Sequence, residues 1–125
     1  ATAKYTSLFD GISIANIEVS NDEINEAIDL VSVELKDAIA LAKSNIEKFH
    51  AAQKTSKVFV ETIEGVQCWQ EKRPIQKVGL YIPGGTAPLF STVLMLAVPA
   101  KIAGCNEVVL CSPPDKNGTK LTIQR

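Results

Sequence analysis

Residues 77–111 read KVGLYIPGGTAPLFSTVLMLAVPAKIAGCNEVVLC, and the fold turns on how this run is divided. Residues 77–82 carry the β-rich signature of a strand, and Pro83-Gly84-Gly85 turns the chain sharply. An apolar run over 87–103 follows and reads as a helix, with Gly104 suited to its C′ position. Glu107 to Cys111 is again strand-like and ends at Ser112-Pro113-Pro114. Strand, crossover helix and strand at this spacing predict a βαβ unit with parallel strands and a right-handed crossover. Pro99 falls inside the helix, where it removes one hydrogen bond, so a kink or break is expected near residues 95–98.

In an open α/β fold, ligands sit beyond the carboxyl ends of the strands, beside helix N-termini. Pro83-Gly84-Gly85 occupies that place. Glycines allow a backbone to approach a ligand closely, and the first N–H groups of a helix attract anions. Tyr81, at the strand end, offers a ring for stacking and a hydroxyl for donation. Against this, GxGxxG is missing, because Gly79 lies within the strand, and GxxxxGK[ST] is missing as well. Cys111-Ser112 stand where an acidic residue would take a ribose. From pattern alone the loop reads either as a tight structural turn or as a ligand seat.

Residues 58–63 and 66–70 are β-like and flank Glu64-Gly65, which predicts a hairpin. Trp69 is expected in a core. Arg73-Pro74 closes the segment, since proline cannot donate to a ladder. Further upstream, Ser20-Asn21-Asp22-Glu23 forms a capping box. Ile24, Ile28, Val31, Leu35, Ile39, Ala42, Ile46 and Phe49 then recur at steps of three and four. That spacing predicts one long amphipathic helix over 21–53, whose stripe would pack on another domain or subunit. Residues 1–19 read as a lead-in with a turn at Asp10-Gly11. The expected organisation is a helical segment over 1–53 and the start of a Rossmann-like domain over 54–125. The fold class is α/β: a long N-terminal helix and a β-hairpin leading into an incomplete Rossmann-like βαβ unit.

The totals bound the function. The chain has 125 residues, 46% of them hydrophobic, enough for one domain with a core. Thirteen basic and 14 acidic residues leave a net charge of -1, which argues against a nucleic-acid surface. Cys68, Cys105 and Cys111 form no CxxC and His50 is the single histidine, so no zinc site of the usual four-ligand kind is expected. The cysteines read as free buried thiols of a reducing cytoplasm. His50 reads as a surface or half-buried residue near a helix C-terminus. The start has no signal-peptide pattern, and the apolar run is short and interrupted for a membrane span, so a core helix is expected and no membrane partner. The first residue is not Met, which suggests a processed or cut piece.

The wording of RPIQKVGLYIPGGTAPLFSTVLMLAVPAKIAGCNEVVLCSPP resembles the first Rossmann-like unit of the histidinol dehydrogenase family. KYTSLFDG, the capping-box helix ending NIEKFH, and GVQCWQEKRPI resemble the same family in the same order, so the resemblance covers residues 4–118. It implies two NAD-dependent oxidation steps from L-histidinol through an aldehyde to L-histidine, one zinc per site, and an intertwined homodimer. It also implies incomplete Rossmann-like units without the glycine fingerprint. The tyrosine of GLYIPGG is an NAD-binding position in that family and falls on Tyr81; Gly84 and Gly85 lie in the same loop. The family's zinc ligands and its Glu-His acid–base pair lie far downstream of this segment. His50 matches none of them, and Cys105 and Cys111 match positions that look like core. No catalytic or metal-ligating residue is therefore expected in this chain. Residues 119–125 depart from the family pattern, in which a helix follows the CSPP loop.

The resemblance implies a cytoplasmic, NAD- and zinc-dependent oxidoreductase of histidine biosynthesis, of which this chain is an inactive N-terminal fragment. The alternative is a non-catalytic binding or dimerisation module whose loop is only a turn. A further alternative is another NAD-dependent α/β dehydrogenase of histidinol-like alcohols.

Overall fold

A computed structural model describes residues 2–84 and 89–114 of the chain. A short helix α1 (Thr2–Tyr5) runs into a π-helical stretch, Thr6–Asp10, that ends at Gly11. The rings of Tyr5 and Phe9 stack there at 6.0 Å. The lead-in is therefore partly helical, and it stops at the turn signal read from Asp10-Gly11.

The next segment differs from the single helix expected over 21–53. It forms two helices, α2 (Asn21–Leu30) and α3 (Val33–Ala51). Val31 is extended (φ -84, ψ 126), and its N–H donates to the Ile28 carbonyl at 3.3 Å. Ser32 is extended too (φ -63, ψ 157) and caps the second helix, its hydroxyl accepting from the Leu35 N–H at 3.3 Å. A serine cap contributes about 1 kcal/mol, which offsets much of the cost of restarting the helix. Val31, being β-branched, loses little by leaving helical geometry. The capping box at the start of α2 is present in full. Ser20 Oγ accepts from the Glu23 N–H at 3.2 Å, and Glu23 Oε2 accepts from the Ser20 N–H at 2.7 Å.

Strands β1 (Phe59–Ile63) and β2 (Val66–Trp69) pair antiparallel around Glu64-Gly65, as the turn signal predicts. Glu61 Oε1 accepts from the Gly65 N–H at 2.8 Å and ties the turn to its own strand. The pairing shifts register between Glu61 and Ile63. Among the described elements this hairpin packs on no other, so Trp69 stands 58% exposed where a core position was expected. The Lys57 ammonium lies 5.8 Å from the centroid of its ring.

Strands β3 (Lys77–Tyr81) and β4 (Glu107–Cys111) form a second, parallel pair, joined through helix α4 (Phe90–Ala103). This is the expected βαβ unit. Gly104 takes the left-handed conformation (φ 92) that favours glycine. Its N–H donates to the Lys101 carbonyl and that of Cys105 to the Ala100 carbonyl, a Schellman ending. Helix α4 continues through Pro99 without the expected break. The ring withdraws one donor, but Val98 beside it is buried, and such packing compensates for the loss.

Helix α4 packs on β3, β4 and α3. The buried apolar side chains among the described residues are Ile82 and Val98, 4% and 6% exposed. Along α3, Leu35, Ile39, Ala42 and Ile46 of the expected stripe are half-buried, whereas Phe49 is exposed. Cys105 is half-buried and Cys68 and Cys111 are exposed, so the thiols are not the buried set expected. Cys68 lies on the uncovered hairpin, and Cys111 is the last residue of β4. No helix among the described residues is long and apolar enough to cross a membrane.

Candidate functional site

The parallel pair is in register along its whole length, from Lys77 opposite Glu107 to Tyr81 opposite Cys111. It is pinned at both ends. At the start, the Gln76 carbonyl accepts from the N–H groups of Asn106 and Glu107, each at 3.0 Å. At the finish, the Ile82 N–H donates to the Cys111 carbonyl at 2.8 Å. An exposed ion pair, Lys77 to Glu107 at 2.7 Å, adds little. Because parallel strands in register end together, the loops that leave them emerge side by side.

Tyr81, Pro83 and Gly84 lie on one exit; Ser112, Pro113 and Pro114 lie on the other. Buried Ile82 anchors the first exit, while the Tyr81 side is 64% exposed. A Cβ added to Gly84 would fall 2.5 Å from Pro113 Cγ. The Pro113 ring therefore occupies the space that any side chain at 84 would need. Glycine at this position allows one loop to lie against the other. Gly85, the second glycine of the motif, lies outside the described residues.

No ionisable group other than the Tyr81 phenol occurs in 81–84 or 112–114. The exits thus offer an aromatic face, one phenolic hydroxyl, one serine hydroxyl and backbone. Such a set suits a flat ring or a neutral polar group better than a charge held by an opposite charge. Sequence reading pointed to Tyr81 and Gly84 and missed Pro113 as the neighbour of Gly84. The signal was present in the Ser112-Pro113-Pro114 stop, at the point where the parallel register brings it beside Pro83-Gly84.

The other sequence candidates do not join this site. His50 lies at the end of α3, half-buried, with Nδ1 3.3 Å from Gln53 Oε1 and its ring edge-on to Phe49. Pro99, Ile102 and Ala103 of α4 share a shallow hollow with it. Lys57, Glu71, Lys72 and Thr55 form an exposed polar cluster under the hairpin, with Lys57 paired to Glu71 at 2.8 Å. Among the described residues, no group of three or more His, Cys, Asp or Glu side chains is placed to hold a metal ion.

A parallel βαβ unit with paired strand-exit loops defines an open α/β protein with its candidate site at the carboxyl edge of the sheet. The sequence matches the histidinol dehydrogenase family over residues 1–123, so the chain belongs to that family. The match includes residues 119–123 of the stretch that departs from the expected pattern. Histidinol dehydrogenase of Bacteroides thetaiotaomicron is 62% identical over 118 residues, covering 94% of this chain and 28% of the relative. That of Escherichia coli O6:H1 is 59% identical over 114 residues, covering 91% of this chain and 26% of the relative. The crystal structure of histidinol dehydrogenase from Elizabethkingia anophelis superposes with a TM-score of 0.90 at 58% identity, over 94% of this chain and 27% of that one. The chain spans about a quarter of the length of the relatives it matches.

Proposed function

We propose that this chain forms the NAD-binding edge of a histidinol dehydrogenase, an enzyme that oxidises L-histidinol to L-histidine in two NAD-dependent steps. The reading is supported by the family membership and by an exposed tyrosine at the carboxyl end of a parallel strand. Of these, the placement of Tyr81 is the observation that carries it. NAD, when bound, accepts the hydride. The residues of this chain hold and orient it. The Tyr81 ring presents a face for stacking or a hydroxyl for hydrogen bonding, and Gly84 and Gly85 let the loop backbone come close to the cofactor.

Zinc belongs to the same reading, but no side-chain group among the described residues fits it. The metal, the acid–base pair and the histidinol pocket are contributed by other parts of the enzyme. The exposed apolar side chains of Phe49, Phe59, Trp69 and Phe90 are then faces that meet those parts or the second subunit of a homodimer. The enzyme works in the cytoplasm, where its thiols stay reduced. In this reading residues 1–53 are a helical segment and 54–125 the start of the NAD-binding domain; the α3–α4 packing joins the two.

NADH formation from histidinol tests the division of labour. The full-length enzyme carrying this segment produces NADH, and the purified 125-residue chain produces none. Turnover by the chain alone would contradict the proposal.

A further inference from the structure

We propose that Pro113 is a positioning residue for the loop that carries Tyr81 and Gly84, an inference that rests on the cofactor reading of that loop. Three observations carry it. The parallel register and the Ile82 to Cys111 hydrogen bond bring the two strand exits together. The Pro113 ring fills the position of a Cβ at Gly84, with Cγ at 2.5 Å, Cδ at 3.5 Å and Cβ at 3.6 Å from that point. Pro113 is half-buried although it lies in a loop.

Proline fixes its own φ, so its ring is a stiff surface rather than the end of a flexible side chain. Gly84, lacking a Cβ, gives its own position little stiffness. Pro113 supplies it from the neighbouring exit. A cofactor reaching the Tyr81 ring then meets a loop already placed, and less ordering is needed on binding. Pro113 itself touches no reacting atom.

The test is a size-exchange cycle in the full-length enzyme, read as the KM for NAD against the KM for histidinol. Gly84→Ala raises the KM for NAD about tenfold, because overpacked sites move their neighbours. Pro113→Ala raises it about threefold by removing the stiff ring. The double variant is no worse than Pro113→Ala, since the lost Cγ makes room for the new methyl. The KM for histidinol stays within about twofold throughout, whereas a general loss of structure would raise both constants. A double variant whose loss equals the product of the single losses overturns the proposal, and so does a parallel rise in the two KM values. If Gly84→Ala does not accumulate as folded enzyme, Pro113→Ala decides alone, and an unchanged KM for NAD overturns the proposal. Tyr81→Ala separates the two levels of inference. An effect there with an additive cycle removes only the role of Pro113; no effect there removes the cofactor reading and this inference with it.

Discussion

The Ile82 N–H reaches the Cys111 carbonyl at 2.8 Å, one residue beyond the last paired position of β3. This bond carries the ladder past the strand and fixes where the first exit loop begins. The same residue is buried, so its backbone and its side chain anchor one point from two directions.

Truncation at that point should be costly. Ile82→Ala in the full-length enzyme is expected to lose about 2–4 kcal/mol, and Ile82→Val about 1 kcal/mol. Denaturant unfolding measures both. Equal stability of Ile82→Ala and the unsubstituted enzyme would show that the side chain does not anchor the loop.

Ser32 restarts the helix after Val31. Removing its hydroxyl by Ser32→Ala should cost about 1 kcal/mol, and Ser32→Gly only a few tenths. Circular dichroism through a thermal melt reads the loss. Increased helicity in Ser32→Ala would mean that the two helices merge when the cap is removed.

Glu34 lies in the first turn of α3. Its own backbone N–H and then the Ser32 hydroxyl hold the carboxyl below its ordinary value. A carboxyl lowered in the folded state stabilises the helix above the ordinary carboxylate range. That contribution is lost as pH falls through the ordinary value toward the folded one. Helicity of the Glu34→Gln variant should accordingly depend less on pH in the acid range than that of the unsubstituted chain. Identical acid titrations of the two would remove the cap's electrostatic role.

Thiol reactivity of the 125-residue chain should sort the cysteines. Cys68 and Cys111 are exposed and react first with an aromatic disulfide reagent; Cys105, half-buried after the Schellman turn, reacts more slowly. Mass spectrometry of the partly labelled chain identifies the order. Labelling of Cys105 ahead of the other two would contradict the described packing.

Much of this was legible in the sequence because the signals were local. Glu64-Gly65 between two β-rich runs gave the hairpin, and Gly104 after an apolar run gave the end of α4. The break at Val31-Ser32 was hidden because the apolar stripe keeps its step of three from Ile28 to Val31 and of four from Val31 to Leu35. Periodicity registers which face is apolar, not whether the backbone is continuous. Exposure of Trp69, Cys68 and Cys111 was equally hidden, since residue type predicts a preference for burial but not what covers the residue. The Gly84–Pro113 contact depends on strand register between residues 29 positions apart in the chain, and no local pattern encodes that pairing.

Calorimetric titration of the full-length enzyme with NAD reads whether Tyr81 serves the cofactor. Tyr81→Ala is expected to weaken binding about five- to tenfold, as loss of an aromatic contact of roughly 1–1.5 kcal/mol would. An NAD affinity indifferent to Tyr81→Ala in correctly folded enzyme would contradict it and leave Pro83-Gly84-Gly85 as a turn alone.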